Sequence, residues 1–548
     1  MLRIVYCLIF SIILLLFFLP NQWIWAQPAS PEEFVTYGKQ SGFIKEFAVP
    51  FEELGLKGIT ADLQGRNVWF YHSTNTTSTL VFFDPANGEF AKFPVEGETV
   101  ADEPIINLAS SQLAFDSERN AVWFTDSRIN SVGRLNIDTA EINLWPVPAE
   151  QAGPMGITLS PDGNGVWFAE ITGDKIARLD VSSGKIEEYP TGEQSGPALL
   201  AFDDSGQLWV TLSFADSVLL AQPWTLAPNS SFGMSRFSLP EPDRFSPLGI
   251  AFSRGKVFLP DHGSSRIIVA DASSNLQQYD EYWTSPSPAF PTTLPSQIVA
   301  VSDKQGKIYF TQHGGNRITE ISNDGMMTEY EVPTGPLSTI VYLSVAGDGK
   351  VWFAEWASNK IAYLDSTMQV PFTLNVQKMA VTLDGSSPQS IAVSLNSSSD
   401  ITTTTSPISI SEIEIGLTGM TESGLRGVTY EAQPPRVNLQ DARSTQSEIQ
   451  IRTQENARPG NYTIMVRAFA PEKDGLVISR LYPVELVLDV PEPVSTQDSE
   501  NMFQNQMQQT SDTTVQDALM IGAPVGAAGL IAFAIYRWKK ARRAERAH

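Results

Sequence analysis

The sequence predicts an all-β chain: a seven-bladed β-propeller, then a β-sandwich, then one C-terminal transmembrane helix. Three observations predict it. First, one phrase recurs seven times, as Asn67-Val-Trp-Phe-Tyr-His72, Ala121-Val-Trp-Phe-Thr-Asp126, Gly165-Val-Trp-Phe-Ala-Glu170, Gln207-Leu-Trp-Val-Thr-Leu212, Lys256-Val-Phe-Leu-Pro-Asp261, Lys307-Ile-Tyr-Phe-Thr-Gln312 and Lys350-Val-Trp-Phe-Ala-Glu355. A strand-rich repeat of roughly 40–50 residues is the mark of a propeller. Second, residues 368–490 alternate apolar and polar side chains, as half-buried strands do. Third, Ala518 to Tyr536 is apolar and about long enough to cross a bilayer.

Residues 1–26 read as a secretory signal peptide: Arg3, an apolar run from Leu8 to Leu19, and Ala26 at the cleavage point. The single cysteine, Cys7, lies inside it. The mature chain is therefore expected to hold no disulfide and no thiolate metal site.

The propeller is placed at residues 40–367, and blade 3 shows its four strands. They are Gly156–Leu159, Gly165–Glu170, Lys175–Asp180 and Lys185–Pro190, with Gly, Asp, Asn and Ser at the turns. The second strand is apolar on consecutive residues, which suits a strand covered on both faces by neighbouring blades. The last blade lacks its own fourth strand. Gly42–Pro50 matches the missing strand in type and is expected to close the ring, which removes an exposed edge. The aromatic column Trp69, Trp123, Trp167, Trp209, Phe258, Tyr309 and Trp352 is expected to pack between blades.

Residues 368–490 suit one β-sandwich. Its Pro459-Gly-Asn-Tyr462 turn resembles that of immunoglobulin-like surface modules. Residues 491–517 are polar and read as a stalk, 518–536 as the transmembrane helix, and 537–548 as a basic cytoplasmic tail. The chain is thus expected in the cell membrane as a single-pass protein with its propeller and sandwich outside. Sequons stand at Asn75, Asn229, Asn396 and Asn461, as in a cell-surface glycoprotein.

With 37 Lys and Arg against 61 Asp and Glu, the formal net charge of the 548 residues is −24. A nucleic-acid partner is excluded, because phosphate binding needs a basic face.

The repeat also marks a candidate site. Strands one and two of a blade are antiparallel, so the seven strand-two ends form a ring at one mouth. The ring reads His72, Asp126, Glu170, Leu212, Asp261, Gln312 and Glu355, with His262 and His313 directly after two of its members. Glu355, Asp261 and Glu170 are candidate ligands for Mg²⁺ or Ca²⁺, which favour oxygen donors. His313 and His262 are candidate general bases. His72, Asp126, Gln312 and Trp356 are candidate contacts for a small-molecule, glycan or protein ligand. The column Asn130, Asp174, Asp216, Ser265, Asn316 and Asn359 is read as turn chemistry. Lys175, Arg266, Arg317 and Lys360, one step further on, are read as a solvated rim.

Val166-Trp-Phe-Ala-Glu-Ile-Thr-Gly-Asp-Lys-Ile-Ala-Arg178, Val351-Trp-Phe-Ala-Glu-Trp-Ala-Ser-Asn-Lys-Ile361, Pro154-Met-Gly-Ile157 and Pro247-Leu-Gly-Ile250 resemble the streptogramin (virginiamycin) B lyase family of seven-bladed propellers. The resemblance covers about residues 40–367. It implies a Mg²⁺ held by acidic residues, with Glu355 and Glu170 at the family's acidic position, and a histidine that abstracts a proton for ring-opening elimination. The family's Pro-His-Gly-Ile histidine is missing. The equivalent positions are read as Lys57, Ser111, Met155, Ala198, Leu248, Ser296 and Leu337. A membrane-anchored propeller that binds a ligand or partner at its acidic mouth is therefore the leading reading. The alternatives are an extracellular metal-dependent carbon–oxygen lyase or hydrolase, and an architectural surface-layer protein without a site.

Overall fold

The computed structural model describes residues 42–492, except 101–110, 239–244, 288–289, 291, 301–305, 336–337, 399–411, 421–424, 440–442 and 474–475. The expected signal peptide, stalk, transmembrane helix and tail lie outside the described residues. Among the described residues, no helix is long and apolar enough to cross a membrane.

Seven blades of four antiparallel strands follow one another, each with its first strand innermost. Blade 3 runs Pro154–Leu159, Gly165–Glu170, Lys175–Asp180 and Ile186–Pro190, in sequence order across the sheet. Blade 7 holds Ile340–Val345, Lys350–Glu355 and Lys360–Asp365. Its fourth strand is Ile44–Ala48 from the N-terminal end, paired from Ile44↔Leu364 to Ala48↔Lys360. The predicted ring closure is therefore present. The aromatic column is buried between blades throughout: Trp167 lies in a cluster with Leu200 and Val210 of blade 4, and Trp123 in one with Phe168 of blade 3.

The inner strands meet around the axis by two alternating devices. Blades 1, 3 and 5 place Gly58, Gly156 and Gly249 against a backbone carbonyl of the next blade, at Ser111, Ala198 and Ser296, where any Cβ would collide. Blades 2, 4 and 6 use a threonine near the end of strand two instead. Thr125 Oγ1 donates to the Met155 carbonyl at 2.6 Å, Thr211 Oγ1 to Leu248 at 2.8 Å, and Thr311 Oγ1 to Val341 at 3.0 Å. Each threonine also accepts a backbone N–H from its own inner strand, at Gln112, Leu199 and Gln297. Below this level the axis holds a cavity of about 670 Å³. Its walls are the later halves of the inner strands, with Leu159, Phe202 and Ser253 among them, so it lies away from the strand-two ends.

The C-terminal part is a sandwich. One layer pairs Phe372–Val376, Gln389–Ser397, Ser444–Thr453 and Val428–Gln433. The other is built on Glu412–Thr418, Gly460–Lys473 and Leu476–Leu488. Ile391, Val393, Ile449 and Ile451 meet Ile464, Val466, Val484 and Leu486 between the layers. Strands of alternating apolar residues bury one face this way.

The sequence reading treats propeller and sandwich as successive domains. The structure joins them through one nine-stranded sheet. Leu476–Leu488 pairs with the outer strand of blade 6, from Met327↔Leu481 to Tyr330↔Ile478. Met465 and Leu481 of the sandwich share a cluster with Trp283, Phe310 and Met327 of blades 5 and 6. Thr418 Oγ1 donates to the Thr284 carbonyl at 3.1 Å. The sandwich thus covers an edge that would otherwise expose unpaired backbone groups.

Candidate functional site

The strand-two ends do gather at one end of the blades, because among the described residues six of the seven pair with the start of their inner strand. The partners are Leu56↔His72, Pro154↔Glu170, Pro197↔Leu212, Pro247↔Asp261, Pro295↔Gln312 and Ile340↔Glu355. Their side chains, however, do not face an open mouth. Alternate residues of a strand share a face, so position six of the phrase lies with positions two and four. In blade 3 those are Val166 and Phe168, which pack against Trp123 of blade 2. Glu170 therefore points into the seam with the preceding blade. The same parity holds elsewhere, and His72, Asp126, Glu170, Leu212, Asp261, Gln312 and Glu355 are all 3% exposed or less.

Inside the seams, most of these side chains are tied to protein partners, within the blade or across the seam. His72 stacks on Phe51 with centroids 3.9 Å apart, and its Nε2 lies 2.9 Å from the Glu53 carbonyl. Burial holds its imidazole below the usual range. Asp126 accepts from Tyr71 Oη at 2.8 Å and from the Arg128 backbone N–H at 2.9 Å. Trp356 is half-buried and is the most open of the expected ligand contacts.

Four blades share a three-part clamp that the sequence reading missed. Strand two ends in an acid or amide, strand three begins with a base directly opposite, and strand four places a glutamate opposite the residue two further on. Blade 3 uses Glu170, Lys175 and Glu188; blade 7 uses Glu355, Lys360 and Glu46. Blade 5 uses Asp261, Arg266 and Glu281; blade 6 uses Gln312, Arg317 and Glu329. Lys175 Nζ is 2.6 Å from Glu188, and Lys360 Nζ is 2.8 Å from Glu46. Arg266 Nε is 2.9 Å from Asp261, and its other arm reaches Glu281. Gln312 Nε2 donates to Glu329 at 2.8 Å. Arg317 donates to the Ser285 carbonyl at 2.9 Å. The bases are therefore seam and strand ties, not the solvated rim expected of them.

Protonation differs among the clamps. Both Glu170 oxygens are buried without a hydrogen-bond partner. Burial, then the charge of Glu188, pushes its carboxyl up to about 8. Burial, then Glu46, pushes Glu355 up to about 8 as well, although Ser358 Oγ donates to it at 2.6 Å. Asp261 instead accepts the Ser246 and Gly263 backbone N–H groups at 2.9 and 3.1 Å, besides Arg266.

Glu170, Asp261 and Glu355 thus occupy three separate seams. Among the described residues, no group of three or more His, Cys, Asp and Glu is placed to hold a metal ion. A hard cation needs several ionised oxygens converging on one point. The expected Mg²⁺ or Ca²⁺ ligand set is not brought together.

The turn column behaves as predicted. Asn130, Asp174, Asp216, Asn316 and Asn359 all have φ between 49° and 54° or 55°, the left-handed region that Asn and Asp tolerate. Several also brace the mouth. Asn130 Nδ2 donates to the Ala149 carbonyl at 2.8 Å, Asn316 Nδ2 to Val332 at 3.0 Å, and Asn359 Nδ2 to Phe51 at 2.5 Å.

The blade-opening position needs one correction. Register places Val341 between Ile340↔Glu355 and Leu343↔Phe353, so Val341, not Leu337, fills it in blade 7. Thr311 confirms the match, since the blade-opening carbonyls of Met155 and Leu248 receive threonines in the same way. Lys57 is the ionisable member of the set. It is 2% exposed, and burial pulls its amine down to about 7 against the attraction of Asp126.

His262 and His313 do come together, with ring centroids 5.5 Å apart. His262 Nδ1 lies 3.2 Å from the Pro295 carbonyl and 3.1 Å from Ser296 Oγ. Of the sequons, Asn75, Asn229 and Asn461 are exposed and Asn396 is half-buried.

Residues 20–259 match the virginiamycin B lyase family. The chain carries a virginiamycin B lyase-like β-propeller. Among solved structures, a streptogramin B lyase aligns at 26% identity and a TM-score of 0.47, covering 59% of this chain and 97% of that one. Virginiamycin B lyase from Staphylococcus aureus aligns at 22% identity and 0.48, covering 59% and 98%. Hydrazine synthase from Kuenenia stuttgartiensis aligns at 12% identity and 0.43, covering 59% and 98%. No curated protein matches the chain.

Proposed function

We propose that this is a membrane-anchored surface protein whose propeller binds a ligand or partner at the face of the strand-two ends, without lyase chemistry there. One observation carries the reading. The blade-opening positions hold Lys57, Ser111, Met155, Ala198, Leu248, Ser296 and Val341, and no histidine. The strand-two carboxylates that would serve a metal are buried in separate seams. A lyase of the resembling kind needs both parts on one substrate, and a fold alone does not supply them.

The tether belongs to the same proposal. Residues 1–26 act as a signal peptide, 491–517 as a stalk, and 518–536 as the anchor. The sandwich acts as an immunoglobulin-like spacer that carries the propeller outside the cell, with Asn75, Asn229 and Asn461 open to glycosylation.

Two measurements on the full chain test this. Membranes washed in alkaline carbonate are expected to keep the protein, and truncation after residue 517 is expected to release it. Incubation with a streptogramin-type cyclic depsipeptide, followed by mass spectrometry, is expected to return the intact ring. A linearised product would overturn the non-catalytic reading, and a full-length chain in the wash would overturn the anchor.

A further inference from the structure

We infer that His262 and His313 form a two-imidazole site for a borderline divalent transition metal, with Zn²⁺ as its simplest probe. The site lies between blades 5 and 6, and it stands whether or not the chain is tethered to a membrane.

The geometry comes first. A Zn–N bond is about 2.0–2.1 Å, so an imidazole centroid sits roughly 3.2 Å from a bound metal. Two centroids 5.5 Å apart then subtend about 120° at one metal, near the tetrahedral value. The rings are tilted by 30° and do not stack face to face.

The hydrogen bonds prepare one ring as a ligand. The Pro295 carbonyl can only accept, so His262 Nδ1 carries the proton that points at it. Ser296 Oγ turns its own proton to the Leu294 carbonyl at 3.2 Å. The lone pair of His262 is left on Nε2. A backbone carbonyl on one ring nitrogen is the usual way a protein orients a metal-binding histidine.

The second ring supplies an independent observation. His313 is 4% exposed, and its Nδ1 is buried without a hydrogen-bond partner. A polar atom left so is costly unless something engages it. Burial, with the neighbouring ring, holds His313 well below its ordinary range, and burial likewise lowers His262. Both rings are neutral at physiological pH, the form that binds metals.

The nearby charges do not compete. Asp261 is engaged by Arg266 and two backbone amides, and Arg266 also reaches Glu281. Two imidazoles without carboxylate or thiolate select Zn²⁺, Cu²⁺ or Ni²⁺ over Mg²⁺ and Ca²⁺. Water, or a donor group on a ligand at the mouth, completes the coordination.

The test is calorimetric titration of the full chain in detergent with Zn²⁺ and, separately, Mg²⁺. One equivalent of Zn²⁺ is expected to bind and Mg²⁺ is not. His262→Gln and His313→Gln are each expected to weaken Zn²⁺ at least tenfold, while Ser296→Ala and His548→Gln keep it. Zn X-ray absorption on the unaltered chain counts imidazole ligands directly, and two are expected, so the answer does not depend on either variant folding. Absent Zn²⁺ heat, a spectrum without imidazole, or unchanged affinity in both glutamine variants would each overturn the proposal.

Discussion

Blades 3 and 5 place the same three-part clamp at the same register and fill it with different chemistry. In blade 5 the short Asp261 leaves room for the planar Arg266, which forks to Asp261 and Glu281 and lies over Trp283 at 5.6 Å. Every charge there has a partner. In blade 3 the longer Glu170 folds into the seam, while the point charge of Lys175 goes to Glu188. Glu170 is left to hold a proton. One position in the repeat is thus an ion-pair anchor in one blade and a neutral acid in another. A shared place in a repeat does not imply a shared reaction.

Three substitutions would break or sharpen that contrast. The largest effect is expected from Asp261→Ala, which takes from the buried Arg266 one of its two carboxylates and from the Ser246 and Gly263 N–H groups their acceptor. Loss of one partner of a buried pair costs about 3–5 kcal/mol. Thermal unfolding followed by tryptophan fluorescence is expected to show it, and a change under about 0.5 kcal/mol, as at ordinary surface sites, would remove the anchor role. Arg266→Lys comes next. Lysine cannot fork to two carboxylates, so a loss of about 1–2 kcal/mol is expected, on the scale of one charge-assisted hydrogen bond. Full retention of stability would mean that the fork is dispensable. The smallest effect belongs to Glu170→Gln near pH 5, where it mimics the protonated acid already present.

Much of this architecture was legible. Trp69 through Trp352 gave the number of blades, because a bulky aromatic between sheets is what each seam requires. Gly42–Pro50 pointed to the closing strand, because blade 7 is otherwise one strand short. The left-handed turns at Asn130 and Asn359 followed from residue type alone. The ring at the strand-two ends was located correctly, yet its side chains were aimed wrongly. Parity held the missing signal: Glu170 shares a face with Val166 and Phe168, and a face so apolar has to be buried.

Other features left no trace to read. Pairing of Leu476–Leu488 with blade 6 rests on backbone hydrogen bonds, which impose little on residue type. Blade 7 opens without the Pro-x-Gly phrase, so only pairing reveals that Val341 fills its opening position. The meeting of His262 with His313 depends on how two successive blades are set against each other.

The central claim is that the strand-two carboxylates serve the seams and not a substrate. Glu170 tests it most directly, through the pH dependence of stability. Its carboxyl is raised from 4.5 to about 8 in the fold, so the native state keeps a proton that the unfolded chain releases across that window. Its contribution is therefore present below about pH 4.5, falls as pH rises toward 8, and stays low above it. Melting temperature is to be followed from pH 5 to 9 for the unaltered chain and for Glu170→Gln. The variant is predicted to match the parent near pH 5, to exceed it increasingly up to about pH 8, by several degrees, and to keep that margin above it. A variant less stable than the parent at pH 9 would contradict the account, because the ionised carboxylate would then be making an attractive contact.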